Sequence, residues 1–265
     1  MKTLVTNWQG RLQRGSRFLS ATLAVIFGVL CSTAFAENFS STDIEAFYTT
    51  QAKTDPGTGT GTSNEKLLVT RFEHFGTWNY GDNYIDLDWF HGSTVGGQGA
   101  GSFGSNTSDS YFLVYVPRIS FSKTLGFSMG DGFVKDIYVA YRLERASYAN
   151  FHSNNIGFSV DLKVPGTAFF EQDFYMRQTN FDKGNKFLSR TVWLAPFQAG
   201  PIAAHFDGLL LVKTTDSSGT DFFSQLDLLA DLTPKGGVQA GLRYEYHHSK
   251  DYSRSTPYLM LKWNL

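Results

Sequence analysis

Charged residues of opposite sign recur at even spacing along this chain: Arg71 and Glu73, Arg142 and Glu144, Asp173 and Arg177, Arg243 and Glu245. Asp86, Asp88, Arg118 and Glu171 extend the set. On a strand, residues an even number apart share a face. Each pair therefore projects to one side, in a chain whose intervening positions are largely apolar. Gathered in an interior, such groups serve one of two ends. They line a water path and orient a polar solute, or they pair with one another to fill and stiffen the interior, because a buried charge must be compensated. These twelve residues are the candidate pore lining. Inward aromatics at Phe112, Tyr138, Phe169 and Tyr175 add flat surfaces on which a nucleobase would stack, at about 1–3 kcal/mol per base.

Residues suited to catalysis lack the spacing it requires. His152 and Ser153 are adjacent, so a strand sends them to opposite faces. His247 and Ser249 share a face, but that face also carries Arg243 and Glu245, whereas a lipid hydrolase needs its site toward lipid; no third group is evident to orient the histidine. The six histidines show no metal-ligand spacing. Gly99 to Gly104 reads G-x-G-x-x-G, yet without the preceding strand and following helix that a dinucleotide fingerprint requires. The expectation is therefore no catalysis, no metal and no cofactor.

The elements that must hold these residues are strands. Ile156, Phe158, Val160 and Leu162 alternate with Gly157, Ser159, Asp161 and Lys163; Val238, Ala240, Leu242, Tyr244 and Tyr246 alternate with Gln239, Gly241, Arg243 and Glu245. The pattern predicts twelve strands, near 41–50, 66–77, 83–91, 110–121, 132–147, 155–164, 167–180, 186–198, 201–214, 221–232, 237–248 and 255–265. It is least clean over Leu67–Gly76 and Lys186–Phe197, where apolar residues fall on both faces. Tight turns at Pro165-Gly166, Ala199-Gly200 and Pro234-Lys235-Gly236 alternate with longer polar stretches, the longest being Gln51–Glu65 and Gly92–Asp109. Short turns on one side and long loops on the other, with an even strand number, describe an all-β transmembrane antiparallel up-and-down barrel of about 12 strands. Lys or Arg on the lipid face costs about 2–4 kcal/mol at the midplane, which assigns the charged parity to the lumen. A soluble sandwich or lipocalin-like barrel also alternates, with its apolar face inward. Trp78, Trp193, Phe197, Tyr48, Tyr111 and Trp263 near strand ends suit interfacial girdles.

Residues 1–36 read as a secretory signal peptide: Lys2, Arg11, Arg14 and Arg17 precede an apolar run from Phe18 to Cys31, and Ala34-Phe35-Ala36 supplies a cleavage pattern. That run is shorter than the ~20 residues of a spanning helix. The barrel domain is then 37–265, with 19 basic and 24 acidic residues, a net charge of −5. No basic excess points to nucleic acid, and the single cysteine, Cys31, leaves with the signal, so no disulfide forms.

Pro117 to Ala140, PRISFSKTLGFSMGDGFVKDIYVA, resembles the nucleoside-specific channel-forming (Tsx-like and OmpK-like) family of outer-membrane proteins, through Pro117-Arg118, Ser120, Lys123, Leu125, Ser128, Gly130, Lys135, Tyr138 and Ala140. Trp78 to Asp88, WNYGDNYIDLD, is similar to the family's earlier glycine-aspartate turn and acidic strand. These stretches cover about a fifth of the barrel domain. The resemblance implies a monomeric twelve-stranded barrel in a Gram-negative outer membrane, contacts with outer-membrane lipids and the barrel assembly machinery, passive uptake of nucleosides, and loops that serve phages as receptor. The chain departs from the family in ending on Leu265 where an aromatic is usual, although Leu259, Leu261 and Trp263 keep the alternation. No nucleoside-contacting residue falls in the matched stretches. The resulting expectation is a channel for small polar solutes, nucleosides foremost. The alternatives are a structural or surface-receptor barrel without transport and, less favoured, an outer-membrane lipid hydrolase.

Overall fold

A computed structural model describes residues 39–52, 64–92, 109–147, 150–217, 219–233, 236–250 and 253–265. The expected signal peptide, the Gly99–Gly104 motif and most of the two longest loops lie outside these residues. Twelve strands follow one another: β1 (Phe39–Ala52), β2 (Glu65–Trp78), β3 (Gly81–Gly92), β4 (Asp109–Ser120), β5 (Val134–Ala146), β6 (His152–Leu162), β7 (Phe169–Thr179), β8 (Lys186–Ala199), β9 (Ile202–Thr215), β10 (Gly219–Asp231), β11 (Val238–His248) and β12 (Ser253–Asn264). Each pairs antiparallel with its neighbours in sequence, and β1 closes on β12 from Asp43 opposite Asn264 to Tyr48 opposite Leu259. Closure removes the edges that an open sheet would expose. The expected all-β barrel, with its strand number and up-and-down order, is the observed one.

Side-chain burial is inside out. Leu242, Ile156 and Leu259 are 55%, 53% and 64% exposed, while Arg243, Asp173 and Asn155 are 2%, 0% and 0% exposed. A water-soluble barrel buries the opposite set, so this outer surface is built for hydrocarbon. Strands of 11–14 residues meet or exceed the roughly 9–11 that a tilted strand needs to cross it. Among the described residues no helix is long and apolar enough to do so. The architecture is that of an outer-membrane barrel. Trp193 lies flat over Gly208 on the facing strand, where a Cβ would meet its ring at 1.9 Å. Phe170 and Phe206 flank that indole on the lipid side at 6.4 and 5.9 Å.

The start of β1 and the end of β12 lie at one end, with the connections after β2, β4, β6, β8 and β10; this is the turn end, and the other is the loop end. One connection at the turn end differs from the expected short turn. The fourth strand stops at Ser120, and a one-turn helix α1 (Phe121–Leu125) follows. The Ser120 hydroxyl accepts from the Lys123 N–H, and Gly126 closes the turn at φ +70. An N-cap serine and a left-handed glycine override the strand pattern that ran to residue 121.

Candidate functional site: the lumen

All twelve candidate lining residues point inward, but the structure divides them. A cavity of about 990 Å³ occupies the turn-end part of the lumen, reaching from Phe39, Gln198 and Asn264 at the rim to Glu45, Arg71 and Arg243. Arg71, Glu73, Asp86, Arg118, Glu171 and Arg243 line it. Asp88, Arg142, Glu144, Asp173, Arg177 and Glu245 are not in its wall and are packed against protein.

The cavity's arginines are held in place by neighbouring carboxylates. Arg118 grips Asp82 with two nitrogens, at 2.7 and 2.8 Å, and reaches Glu171 at 2.5 Å and Asp161 at 3.1 Å. Its guanidinium lies 4.2 Å over the Tyr138 ring, and the Tyr138 hydroxyl donates to Asp161. Arg190, which the sequence reading passed over, joins Glu171 to Asp173, and Ser159 donates to Asp173. Deeper in, Arg71 grips Asp88 at 2.6 and 2.8 Å and Arg243 grips Asp227 at 2.7 and 2.6 Å. Both stack on Phe47, at 5.2 and 3.8 Å from its centroid. Two-nitrogen grips fix a guanidinium in orientation as well as position.

The opposite wall is different. In a closed ring of twelve strands β8 stands across from β2, and β9 from β3. From β7, β8 and β9 come Phe169, Val192, Leu194, Pro196 and Leu209, all lining the cavity. These are the inward apolar residues that blurred the alternation near 186–197. An apolar strip, flanked on the same strands by Glu171, Arg190, His205 and Asp207, thus faces a wall of carboxylates and arginines. Of the four inward aromatics singled out from sequence, only Phe169 presents a free ring here. Tyr138 lies under Arg118, Tyr175 is buried with Ala140 and Leu188, and Phe112 stacks on Phe151 at 6.1 Å.

The loop-end half is filled. Phe47, Ala52, Leu67, Val69, Leu229, Tyr258 and Met260 form one apolar cluster inside the barrel, and Ala140, Tyr175 and Leu188 a second. Beyond them Arg142 pairs with Glu144 at 2.8 Å, Arg177 with Asp182 at 2.7 Å, Lys213 with Asp221 at 3.5 Å, and Arg254 sits beside Glu245.

Asp221 also orients His247 at 2.9 Å, supplying the third group that the sequence did not reveal. A catalytic set still fails to form: the Ser249 hydroxyl is buried without a hydrogen-bond partner, and the group faces the packed interior. Among the described residues no cluster of His, Cys, Asp and Glu is arranged to hold a metal ion.

Asp43, Glu45, Asp82, Tyr84, Arg190 and Lys262 line the cavity and are not singled out by the sequence pattern. Asp43 and Glu45 carried a usable signal, since they alternate with Ile44 and Ala46 just as Asp86 and Asp88 do with Ile85 and Leu87.

No family model matches the chain, and no curated protein does. The resemblance of Pro117–Ala140 to nucleoside-specific channels therefore rests on its own residues. Solved structures to which the chain is similar include the following. A KdgM porin in complex with disordered oligogalacturonate shares 10% identity at a TM-score of 0.49, over 83% of this chain and 98% of that one. A second KdgM porin structure gives 9% and 0.48 over the same shares. A bacterial polysaccharide outer membrane secretin gives 11% and 0.38, over 87% and 99%.

Proposed function

We infer that this protein is an outer-membrane channel for passive diffusion of small polar solutes, with nucleosides as the best-fitting class. One observation carries the reading: an apolar strip of Phe169, Val192, Leu194, Pro196 and Leu209, bordered by charged groups, stands across the lumen from carboxylates and fixed arginines on β1 to β3. A solute with one flat apolar face and several hydroxyls matches both walls at once. A nucleoside presents its base to Phe169, Val192 and Leu194 and its ribose to Asp43, Glu73 and Asp86. Stacking favours the base by about 1–3 kcal/mol when full, and carboxylates accept from sugar hydroxyls. The solute's own gradient drives movement, and passage requires the packed side chains of the loop-end half to part transiently. No catalytic step is involved and no cofactor is needed. The site acts as a monomer, because each barrel encloses a complete cavity.

Entry of labelled adenosine into proteoliposomes tests this. The reading expects entry well above that of empty liposomes, and a Phe169→Ala variant that passes adenosine with a weaker half-saturation, by up to about 1–3 kcal/mol in affinity. Equal entry with and without the protein removes the transport reading. A second reading, a surface-receptor barrel of the phage-receptor kind, is favoured by the filled loop-end half, which would present loops on a rigid stump. It predicts neither adenosine entry nor ion conductance, and loss of partner binding when the long loops are shortened.

A further inference from the structure

Three carboxylates stand side by side in the cavity wall. Asp43 on β1 is paired in register with Glu73 on β2, and Glu73 with Asp86 on β3. Cross-strand partners lie about 4.5–5.5 Å apart at Cα, and like charges directly opposite are destabilising. Two in succession is an arrangement that a purely structural lining avoids.

The protein supplies too few cations to neutralise it. Lys262 donates to Asp43 Oδ2 and Glu45 Oε1, both at 2.9 Å. Arg71 is committed to Asp88, with Asp86 at 3.2 Å. Around the ladder Lys262 and Arg71 thus serve Asp43, Glu45, Glu73, Asp86 and Asp88, joined at Glu45 by Arg243, whose Nη2 lies 3.6 Å from Glu45 Oε2 while it grips Asp227. Tyr84 donates to Glu73 at 2.7 Å and leans toward Asp86 at 3.3 Å, which orients the ladder without adding charge. An independent sign points the same way. The Asp43 side chain is 6% exposed, it lines the cavity, and its Oδ1 has no hydrogen-bond partner. A buried carboxylate oxygen without a donor costs stability, and a donor brought by a ligand recovers it.

We propose that the Asp43–Glu73–Asp86 ladder is a subsite for the ammonium group of an organic cation, and that it makes the pore pass cations in preference to anions. The spacing sets the kind of cation. Among the described residues no group of these side chains is close enough to chelate a metal ion. An ammonium carries three N–H donors spread over a larger radius, and it meets carboxylates on adjacent strands without drawing them together. The cavity as a whole has the same bias. Its cations are Arg71, Arg118, Lys123, Arg190, Arg243 and Lys262, and its carboxylates are Asp43, Glu45, Glu73, Asp82, Asp86, Asp161, Glu171, Asp207, Asp227 and Asp231.

The conductance arm of the test rests on the channel reading, and a binding arm does not. In planar bilayers under a potassium chloride gradient, the wild-type reversal potential takes the sign of cation preference, and 1,4-diaminobutane reduces the current. In Asp43→Asn/Glu73→Gln the preference falls toward unity and block weakens about tenfold, the loss of one charge-assisted contact. Asp131→Asn, in an exposed turn, changes neither. Anion preference in the wild type, or block unchanged in the double variant, overturns the subsite. If no current is seen, the channel reading fails, and calorimetric titration of the detergent-solubilised protein with 1,4-diaminobutane still decides the ladder: heat with the wild type and about tenfold weaker binding with the variant supports it, equal binding or none refutes it. Glu73→Gln alone, which removes one charge from each like-charged pair, serves if the double variant does not assemble.

Discussion

The two halves of the lumen are made from the same residue types and behave differently. At the loop end Arg142, Arg177, Lys213 and Arg254 meet Glu144, Asp182, Asp221 and Glu245, the packed Asp88 and Asp173 are matched by Arg71 and Arg190 at the cavity's edge, and the space between is packed. At the turn end carboxylates outnumber cations, and a cavity of about 990 Å³ remains. Balanced charges neutralise one another and let side chains close over them. An excess of one sign keeps groups hydrated and apart, which holds space open. Charge balance at a given height, rather than the presence of charge, separates filling from lining.

Breaking a pair in the packed half should have the largest effect. Arg142→Met strands the buried Glu144 carboxylate, and urea unfolding from lipid should report a loss of about 3–5 kcal/mol. Adding Glu144→Gln should recover most of it. In the cavity half, Lys123→Ala should cost only about 0–1 kcal/mol, because that ammonium makes long contacts of 3.5 and 3.3 Å to the Trp78 and Gly81 carbonyls at the rim. Equal losses at both sites would erase the contrast.

Next comes the lipid face. Leu242→Arg places a cation in hydrocarbon and should lower stability by about 2–4 kcal/mol, whereas Val192→Arg enters the cavity and should be closer to neutral. Similar folding yields of the two in vesicles would refute the inside-out assignment.

The smallest effect belongs to the loops. Asp216, between β9 and β10, is held below the usual carboxylate range, first by the Lys186 ammonium and then by the Lys183 backbone N–H. A depressed carboxyl contributes stability above its unfolded pKa, near 4, and loses it as pH falls through the lower folded value. Protection of the Lys183 and Asp216 amides, relative to their intrinsic exchange rates at each pH, should therefore fall below about pH 4, while β7–β10 amides stay protected. No change there would remove the loop clasp.

Much of this was legible in the chain. Alternation such as Ile156 to Lys163 fixes which side of a strand meets lipid, and the sequential order of pairing follows from the short turns. The end of β4 was misread by one residue because Ser120 and Gly126 cap a helix turn inside a hydrophobic run. The partition of the lumen was hidden for a different reason. Whether Arg177 packs or lines depends on what stands across the barrel and at what height. That β8 faces β2 is a property of closure that no local pattern records. Even so, the blurred alternation at 186–197 was the apolar wall in plain sight, and Asp43 and Glu45 were passed over only because their strand is short of other charges.

Cysteine accessibility tests the division most directly. Cys31 is the chain's one cysteine and falls in the expected signal, so single introduced thiols report alone. In lipid vesicles a charged, water-soluble thiol reagent should modify Val192→Cys and Leu194→Cys readily, and leave Ser153→Cys and Thr256→Cys unreacted until urea unfolds the barrel. Equal reaction at all four positions would mean that water fills the whole lumen, and the account of one open and one packed half would be wrong.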